Sequence, residues 1–337
     1  MHAKTAVLIS LLAGVHLLLL FAGCLSPYDP RTQNRDVPYA PPTRLHFVDN
    51  AGFHWRPFIY AWSPVEDGYA EDHSEAYPIH LFVRGDRYQF FGLWESNLHA
   101  FGVGAPAKAL LLGTDGFGRD VFSRVLWGGQ VSVAAGIAAA FIALLVGALV
   151  GTIAGFYGGW LDESLMGITE LFLSLPWFYF LLGVRAFLPL HLSPVRAFFL
   201  LASVIGLIGW TRPARLVRGI VLSVRDRNHV AAARGFGASN FYLLRRHIIP
   251  EAFGALLTQS ALLIPRYIAA EATLSFFGLG VSEPTPSWGN MLSVLQQYSV
   301  LVSYTWLLAP AAALFITSVI YALVADHLHS RLESRST

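Results

Sequence analysis

Six long apolar runs constrain what this sequence can fold into more than any other feature. A helix needs about 20 consecutive apolar residues to cross the hydrocarbon core of a bilayer, and the runs are close to that length. They occupy residues 6–25, 131–154, 165–188, 195–210, 252–270 and 302–324. Only 13% of the residues are charged, against about 25% in soluble domains. We therefore predict an all-α polytopic membrane protein with six transmembrane helices.

The spacing of the runs predicts three parts. Residues 1–25 form an N-terminal transmembrane helix, residues 26–127 a polar insertion, and residues 128–330 a core of five further transmembrane helices. Within the insertion, two aromatic-rich stretches flank a glycine-containing turn at residues 84–86. This pattern predicts a β-hairpin over residues 77–92.

The placement of arginine predicts the orientation in the membrane. The segment 212–250, between the fourth and fifth runs, carries eight arginines and a single acidic residue, Asp226. Because cytoplasmic loops are enriched in Lys and Arg, we place this segment in the cytoplasm. With six spans, both termini are then cytoplasmic and the insertion lies outside.

The one cysteine, Cys24, leaves two interpretations of the first run. Residues 20–24 resemble the cleavage box of a bacterial lipoprotein, in which Cys24 would become a lipidated first residue. Five further apolar runs make a lipid anchor superfluous, so an uncleaved helix is the simpler interpretation.

We predict no cofactor, no metal and no catalytic residue in this chain. The only lysines, Lys4 and Lys108, do not stand in the Gly-Lys-Ser/Thr order of a phosphate-binding loop. The five histidines of the insertion are dispersed, without the paired spacing of metal ligands. A net charge of +2 does not suggest binding to nucleic acid.

Three glycines four residues apart, Gly147, Gly151 and Gly155, lie on one face of the second predicted helix. Small residues at this spacing let a second helix backbone approach closely in lipid. We interpret them as a helix-packing seam, with a hinge as the alternative.

Ionisable residues within the apolar runs are costly and suggest function by default. Glu170 and Arg185 bracket the third run around Pro176, where the helix should kink, and we expect Glu170 to have an interfacial or intrahelical partner. For Glu271, at the outer end of the fifth run, structural pairing and a place on the solute pathway both stay open. Trp210 is the second candidate for the pathway.

The cytoplasmic segment contains a candidate docking element. Ala231, Ala232 and Ala233 favour a short helix, and a glycine ends it. Small side chains on a helix surface allow close docking into a groove, and flanking arginines can pair with acids on a partner or with anionic lipid.

This segment resembles the coupling loop of permease subunits of bacterial ABC importers. The pattern is Glu-Ala-Ala, a glycine four residues after the second alanine, and a hydrophobic-x-Pro ending. Ala231 stands at the position of the glutamate, which leaves the usual acidic contact in doubt. The residues that the resemblance assigns to ATPase coupling are Ala231, Ala232, Ala233, Arg234, Gly237, Ile248 and Pro250.

Three further stretches resemble the oligopeptide and dipeptide branch of these importers, in its second-permease type. They are residues 112–124, 155–162 and 274–289. Gly167 stands where the branch usually has an arginine, and the insertion is longer than in most members. We expect residues 113–118 to form a turn and helix start, followed by an Asp120–Arg124 pair along the helix.

The resemblance implies a subunit of an ATP-driven importer in the bacterial plasma (inner) membrane. Its expected partners are a homologous second permease, two ATPase subunits, an extracytoplasmic solute-binding protein and the lipid bilayer. Relatives carry peptides, nickel, glutathione or peptide antibiotics. The rival functions are a proton-coupled secondary carrier, which would need a relay of intramembrane carboxylates, and an anchored receptor, for which five extra spans are superfluous.

Overall fold

A computed structural model describes residues 2–49, 52–66, 68–90, 94–186 and 194–336. The chain divides into two compact units. The helical unit comprises Met1–Leu12, Val133–Leu274 and Thr317–Thr337. The mixed unit, which contains all the described strands, comprises Ala13–Ser132 and Ser275–Ile316.

Helices account for most of the described residues. The α-helices are α1 (His2–Leu20), α2 (Ala22–Leu25), α3 (Val121–Tyr157), α4 (Gly159–Ser174), α5 (Trp177–Ala186), α6 (Pro194–Gly209), α7 (Thr211–Arg225), α8 (Asn228–Gly235), α9 (Asn240–Leu243), α10 (Ile249–Phe276), α11 (Trp288–Leu292), α12 (Tyr298–Ser303) and α13 (Ala309–Ser336). A π turn at Leu244–Ile248 joins α9 to α10, and short 3-10 turns occupy Ser293–Gln296 and Thr305–Leu308.

Among the described residues, three helical stretches are long and apolar enough to cross a membrane: Val121–Tyr157, Asn240–Phe276 and Thr305–Leu328. The pair Val195–Gly209 and Thr211–Arg225, bent by 45°, makes a fourth if it forms one broken span. The first predicted run appears as a shorter apolar helix, Thr5–Leu20. The structure thus supports several spans without establishing six.

The third predicted run is interrupted at Pro176, so the expected kink is confirmed. Helix α4 ends at Ser174 and α5 begins at Trp177, with extended backbone at Leu175 between them. Proline lacks the N–H needed to continue the helix and restricts the residue before it. The last two residues of this run, 187 and 188, lie outside the described residues.

The insertion contains more β-structure than predicted. Strand β2 (Gly52–Val65) lies between β1 (His46–Asp49) and β3 (Gly68–Pro78) in an antiparallel sheet. Strands β4 (His80–Phe90) and β5 (Trp94–Gly102) form a second antiparallel pair. The mixed unit is therefore not all-α.

The predicted turn at residues 84–86 is wrong. These residues lie inside β4, where the pairing with β5 shifts register between Arg84 and Tyr88. A Cβ added at Gly85 would lie 2.8 Å from the ring of His99, so Gly85 permits a close side-chain approach. From the sequence alone, a glycine that makes room for a side chain inside a strand cannot be told from a glycine in a turn.

An ion-pair network joins two of the sequence stretches that carry the resemblance. Arg119 donates to Asp115 at 2.7 Å and to Glu283 at 2.6 Å. The side chain of Arg124 is almost completely buried and donates to Glu283 at 2.8 Å and to the carbonyl of Pro30 at 3.1 Å. Two arginines separated by about 160 residues from their shared carboxylate thus fix the loop after α10 to the start of α3.

The expected Asp120–Arg124 pair is wrong. Asp120 instead precedes the first residue of α3 and accepts hydrogen bonds from the backbone N–H of Ser123 at 2.8 Å and from its hydroxyl at 2.6 Å. This is helix capping, which satisfies an N–H that has no partner within the helix. Asp120 is engaged by Ser123, and Arg124 has Glu283 and Asp115 as partners, so the i, i+4 spacing of Asp120 and Arg124 does not lead to a pair.

The capping carboxyl predicts a pH dependence of stability. Burial raises the pKa of Asp120 to about 6, against the lowering effect of the hydrogen bonds from Ser123. The unfolded chain has a pKa of about 3.9 at this group. The folded state therefore binds the proton more tightly, and the free energy of unfolding falls as pH rises from about 4 to about 6, by about 3 kcal/mol.

We expect Asp120→Asn, which keeps an acceptor oxygen for the cap, to flatten this dependence and to unfold at a higher temperature than the parent at pH 7. The measurement is the midpoint of thermal unfolding in detergent, followed by tryptophan fluorescence between pH 4 and 7. Asp36→Asn is the control, because Asp36 is exposed. An unchanged pH profile in Asp120→Asn would contradict the expectation.

Candidate functional site

The segment predicted to couple to an ATPase folds as a short helix with a defined end. Helix α8 is followed by Gly237 in the left-handed conformation, with φ +81°. The N–H of Gly237 bonds to the carbonyl of Arg234, and the N–H of Ala238 to that of Ala233. This pair of bonds is the Schellman motif, in which a left-handed glycine satisfies the last carbonyls of a helix.

Apolar side chains anchor the segment from α8 to the π turn on α7. Val230, Leu243 and Ile248 are completely buried. They pack in a cluster with the apolar face of α7, formed by Val217, Val221 and Val224. Ile248 therefore supports the loop from within, and its side chain is not available to a partner.

Two of the assigned alanines lie on the free surface. Ala231, Ala232 and Arg234 are exposed, whereas Ala233 is partly buried against the cluster. The exposed side thus has small side chains and one positive charge. Pro250 is exposed as well, in the first turn of α10 after the π turn.

Sequence reasoning missed the largest apolar side chain on this surface. Phe236 is 94% exposed, and Phe241 is 71% exposed. Exposed aromatic side chains at this density mark interaction sites. The available signal was an aromatic residue between two glycines, Gly235 and Gly237, in a polar loop.

The glycines Gly147, Gly151 and Gly155 all face α7. A Cβ added at Gly147 would lie 2.5 Å from the Cβ of Pro213, and one at Gly155 would lie 2.9 Å from the carbonyl oxygen of Arg218. At Gly151 the nearest atom is the carbonyl oxygen of Ala214. The backbones of α3 and α7 are therefore close enough that no larger side chain fits between them.

Charged pairs join α7 to α4. Arg218 donates to Asp162 at 2.5 and 2.6 Å, and the hydrogen bond from Arg218 lowers the pKa of the Asp162 carboxyl. One turn earlier, Arg215 lies 3.1 Å from Glu170. The expectation of a structural partner for Glu170 is confirmed.

The end of α7 contacts α3 instead. There, Arg225 donates to the carbonyl of Gly155 at 2.9 Å.

The two candidates for the solute pathway lie near a break between helices. Trp210 separates α6 from α7, is mostly buried, and its ring lies 6.0 Å from that of Phe172. Glu271, in α10, is completely buried. One turn before it, Tyr267 donates from its hydroxyl to the carbonyl of Gly209 at 3.2 Å. Tyr267 therefore ties α10 to the break.

A cavity of about 140 Å³ opens beside this break. Its polar lining includes the side chains of Arg212 and Arg266, and its apolar lining includes Phe172, Trp177 and Ile205. Sequence reasoning assigned Arg212 to a cytoplasmic loop and overlooked Arg266. The signal for Arg266 was an arginine inside the apolar run 252–270.

The chain resembles transport proteins. Residues 147–335 match the family described as binding-protein-dependent transport system inner membrane component. The oligopeptide transport system permease protein OppC of Bacillus subtilis is 36% identical over 231 residues, 68% of this chain and 73% of that protein. The glutathione transport system permease protein GsiD of Escherichia coli is 35% identical over 232 residues, 68% of this chain and 74% of that protein. Among solved structures, the MetNI methionine ABC transporter aligns with 62% of this chain and 97% of its own, at a TM-score of 0.48 and 18% identity.

The contact between α3 and α7 predicts the effect of a larger side chain. We expect Gly151→Leu to force the helices apart and to lower the midpoint of thermal unfolding in detergent by roughly 5 °C or more, since overpacking costs about 1–3 kcal/mol. Gly167→Leu is the matched control, because nothing lies within 4 Å of a Cβ added at Gly167. Equal midpoints for the two variants would show that the close approach has no energetic weight.

Proposed function

The chain belongs to the family of inner membrane components of binding-protein-dependent transport systems, and from this premise we propose its solute, its partners and its coupling element. It is a permease subunit of an ABC importer, and in such systems the ATPase activity lies in partner subunits. Its relatives are named for oligopeptides and for glutathione, itself a tripeptide. We assign short peptides as the solute.

The coupling element is α8 with the exposed aromatic residue that follows it. Ala231 and Ala232 present a surface without bulk, Arg234 contributes a positive charge, and Phe236 projects into solvent. We assign this surface to a cleft of an ATPase subunit. The exposure of two aromatic side chains, Phe236 and Phe241, on the short segment after α8 carries the assignment, because grouped exposed apolar side chains mark protein interaction sites.

The remaining assigned residues fix the element in place. Gly237 ends α8 in a conformation that β-branched or bulky residues rarely adopt. Ala233 and Ile248 anchor the loop on α7, and Pro250 follows the π turn that leads into α10. Displacement of α8 by an ATPase would therefore move α7 and α10 with it.

The helix packing and the pathway follow from the same arrangement. Gly147, Gly151 and Gly155 are the seam along which α3 moves with α7. Trp210 lies at the break beside which the cavity opens, Glu271 lies one turn after the tyrosine that bonds to Gly209, and we place the solute pathway on this side of the helices. A second permease subunit supplies the opposite wall.

The arginine-rich segment 212–250 supports a cytoplasmic position for α8. In the six-span arrangement both termini are cytoplasmic, and residues 26–127 lie outside, where a solute-binding protein delivers its peptide. Residues 1–25 anchor this outer part, and residues 128–330 form the permease core.

Uptake of a labelled peptide tests the function. In bacteria that express this chain with its neighbouring transport genes, we expect uptake of radiolabelled trialanine to stop when ATP is depleted and to persist when an ionophore dissipates the proton gradient at constant ATP. Deletion of this chain alone is the control and should abolish the uptake. Uptake that collapses with the ionophore and survives ATP depletion would instead identify a proton-coupled carrier.

The exposed aromatic residue predicts a separable defect. We expect Phe236→Glu to reduce co-purification of the ATPase and peptide uptake at least 10-fold while leaving membrane insertion and thermal stability unchanged, because Phe236 has almost no contacts to lose. Tyr157→Glu is the control, since Tyr157 is also an exposed aromatic residue but lies at the end of α3, outside the coupling element. A Phe236→Glu variant that retains its ATPase and imports at the parent rate would remove the basis of the assignment.

A further inference from the structure

Two arginines, one in α7 and one in α10, line one cavity. Arg212 lies in the first turn of α7, directly after the 45° break that follows α6. Arg266 lies in the apolar part of α10. Both line the cavity of about 140 Å³, which is large enough for a carboxylate and a few water molecules.

The other three arginines of α7 each have a polar partner. Arg215 and Arg218 pair with acids on α4, and Arg225 bonds to a backbone carbonyl. Across the described ranges of the chain, neither Arg212 nor Arg266 is in an ion pair. The acid of α10 nearer to Arg266, Glu271, follows it by five residues, which places it about 140° around the helix.

Two unpaired guanidinium groups do not fit a surface that faces lipid. Arg266 lies inside an apolar run, where an arginine costs about 2.5–3.5 kcal/mol on insertion scales, and Arg212 adds a like charge beside the same cavity that repels it. Such residues face a water-filled path or a bound anion. The cavity therefore suits water or a bound anion better than lipid.

The fold holds the two side chains on the same cavity. Breaking the helix at Trp210 disrupts its backbone hydrogen bonds, and the hydroxyl of Tyr267 satisfies the carbonyl of Gly209. A Cβ at Gly209 would overlap the ring of Tyr267, so the glycine is required for this contact. Because Tyr267 is the neighbour of Arg266 in sequence, the bond places Arg266 beside the first turn of α7.

We propose that Arg212 and Arg266 form a binding site for the terminal carboxylate of the peptide during its passage. Guanidinium groups bind carboxylates through two parallel hydrogen bonds, which suits a group that must be recognised independently of side chains. The apolar wall of Phe172, Trp177 and Ile205 faces the adjoining part of the solute. This site deepens the proposed import of peptides and rests on it.

The test compares a peptide with its amide in the complete transporter. Uptake of trialanine and of trialanine amide is measured with the parent, Arg212→Gln, Arg266→Gln and the double variant. The ratio of variant to parent rate is taken for each peptide, so that any preference of the solute-binding protein for the free acid cancels. We expect the ratio for the free acid to fall at least 10-fold below the ratio for the amide.

Two further variants separate this role from assembly. Arg212→Lys keeps the charge and should retain more acid-selective uptake than Arg212→Gln. Arg196 is an exposed arginine of α6 that does not line the cavity. Arg196→Gln should therefore leave the uptake of both peptides unchanged. ATPase co-purification should equal that of the parent in all variants, and basal ATP hydrolysis should equal that of the parent in Arg196→Gln.

Equal losses for acid and amide would overturn the carboxylate site. If those losses accompany the disappearance of an anionic lipid from the purified complex, the arginines bind a lipid headgroup; if they accompany loss of the second permease, they pair with an acid of that subunit. Absence of ATP-dependent uptake of either peptide by the parent would be a failure of the proposed function itself, and the site would fall with it.

Discussion

The close approach of α3 and α7 is the constraint on which the helical unit depends. Three glycines one turn apart allow α7 to lie against the backbone of α3. In a membrane, where apolar surfaces gain nothing by leaving lipid, contact of this kind is a main source of helix association. With α7 fixed there, its arginines reach α4 on one side and a carbonyl of α3 at its end. Its apolar face remains for the loop that carries α8.

In the helical unit, the sequence patterns predicted which helices are present more accurately than where each helix begins and ends. Glycine spacing and the alanine-glycine order of α8 depend on local geometry, so they could be recognised from residues alone. The extent of α7 could not, because its arginines made residues 212–225 look like a solvated loop. Those arginines are partly neutralised by Asp162 and Glu170 on α4, a pairing between distant segments that no local pattern contains.

The mixed unit shows the same limit. The aromatic-rich stretches were expected to form one hairpin; their described residues lie largely in β3 and β4, and Gly85 serves the packing of His99 inside β4 rather than a turn. Likewise, Arg124 is four residues from Asp120 and still binds Glu283, a residue far along the chain. Which of several carboxylates an arginine meets is decided by tertiary burial, whereas the sequence offers only the nearest candidate.

In the proposed function, the charge pairing along α7 would let one helix both transmit motion from α8 and contact the solute. From Arg215 to Arg225 the helix is bound to α4 and α3 by ion pairs, a carbonyl contact and glycine packing, so this part should move as a rigid body with α8 at its end. Among the described residues, the ion pairing of α7 does not extend to Arg212, next to the break at Trp210, where the hydroxyl of Tyr267 on α10 bonds to the carbonyl of Gly209. A rigid segment that ends at a break between helices can rotate about that break. Any tilt imposed on α8 would thus change the spacing of Arg212 and Arg266, and with it the affinity of the cavity for an anion.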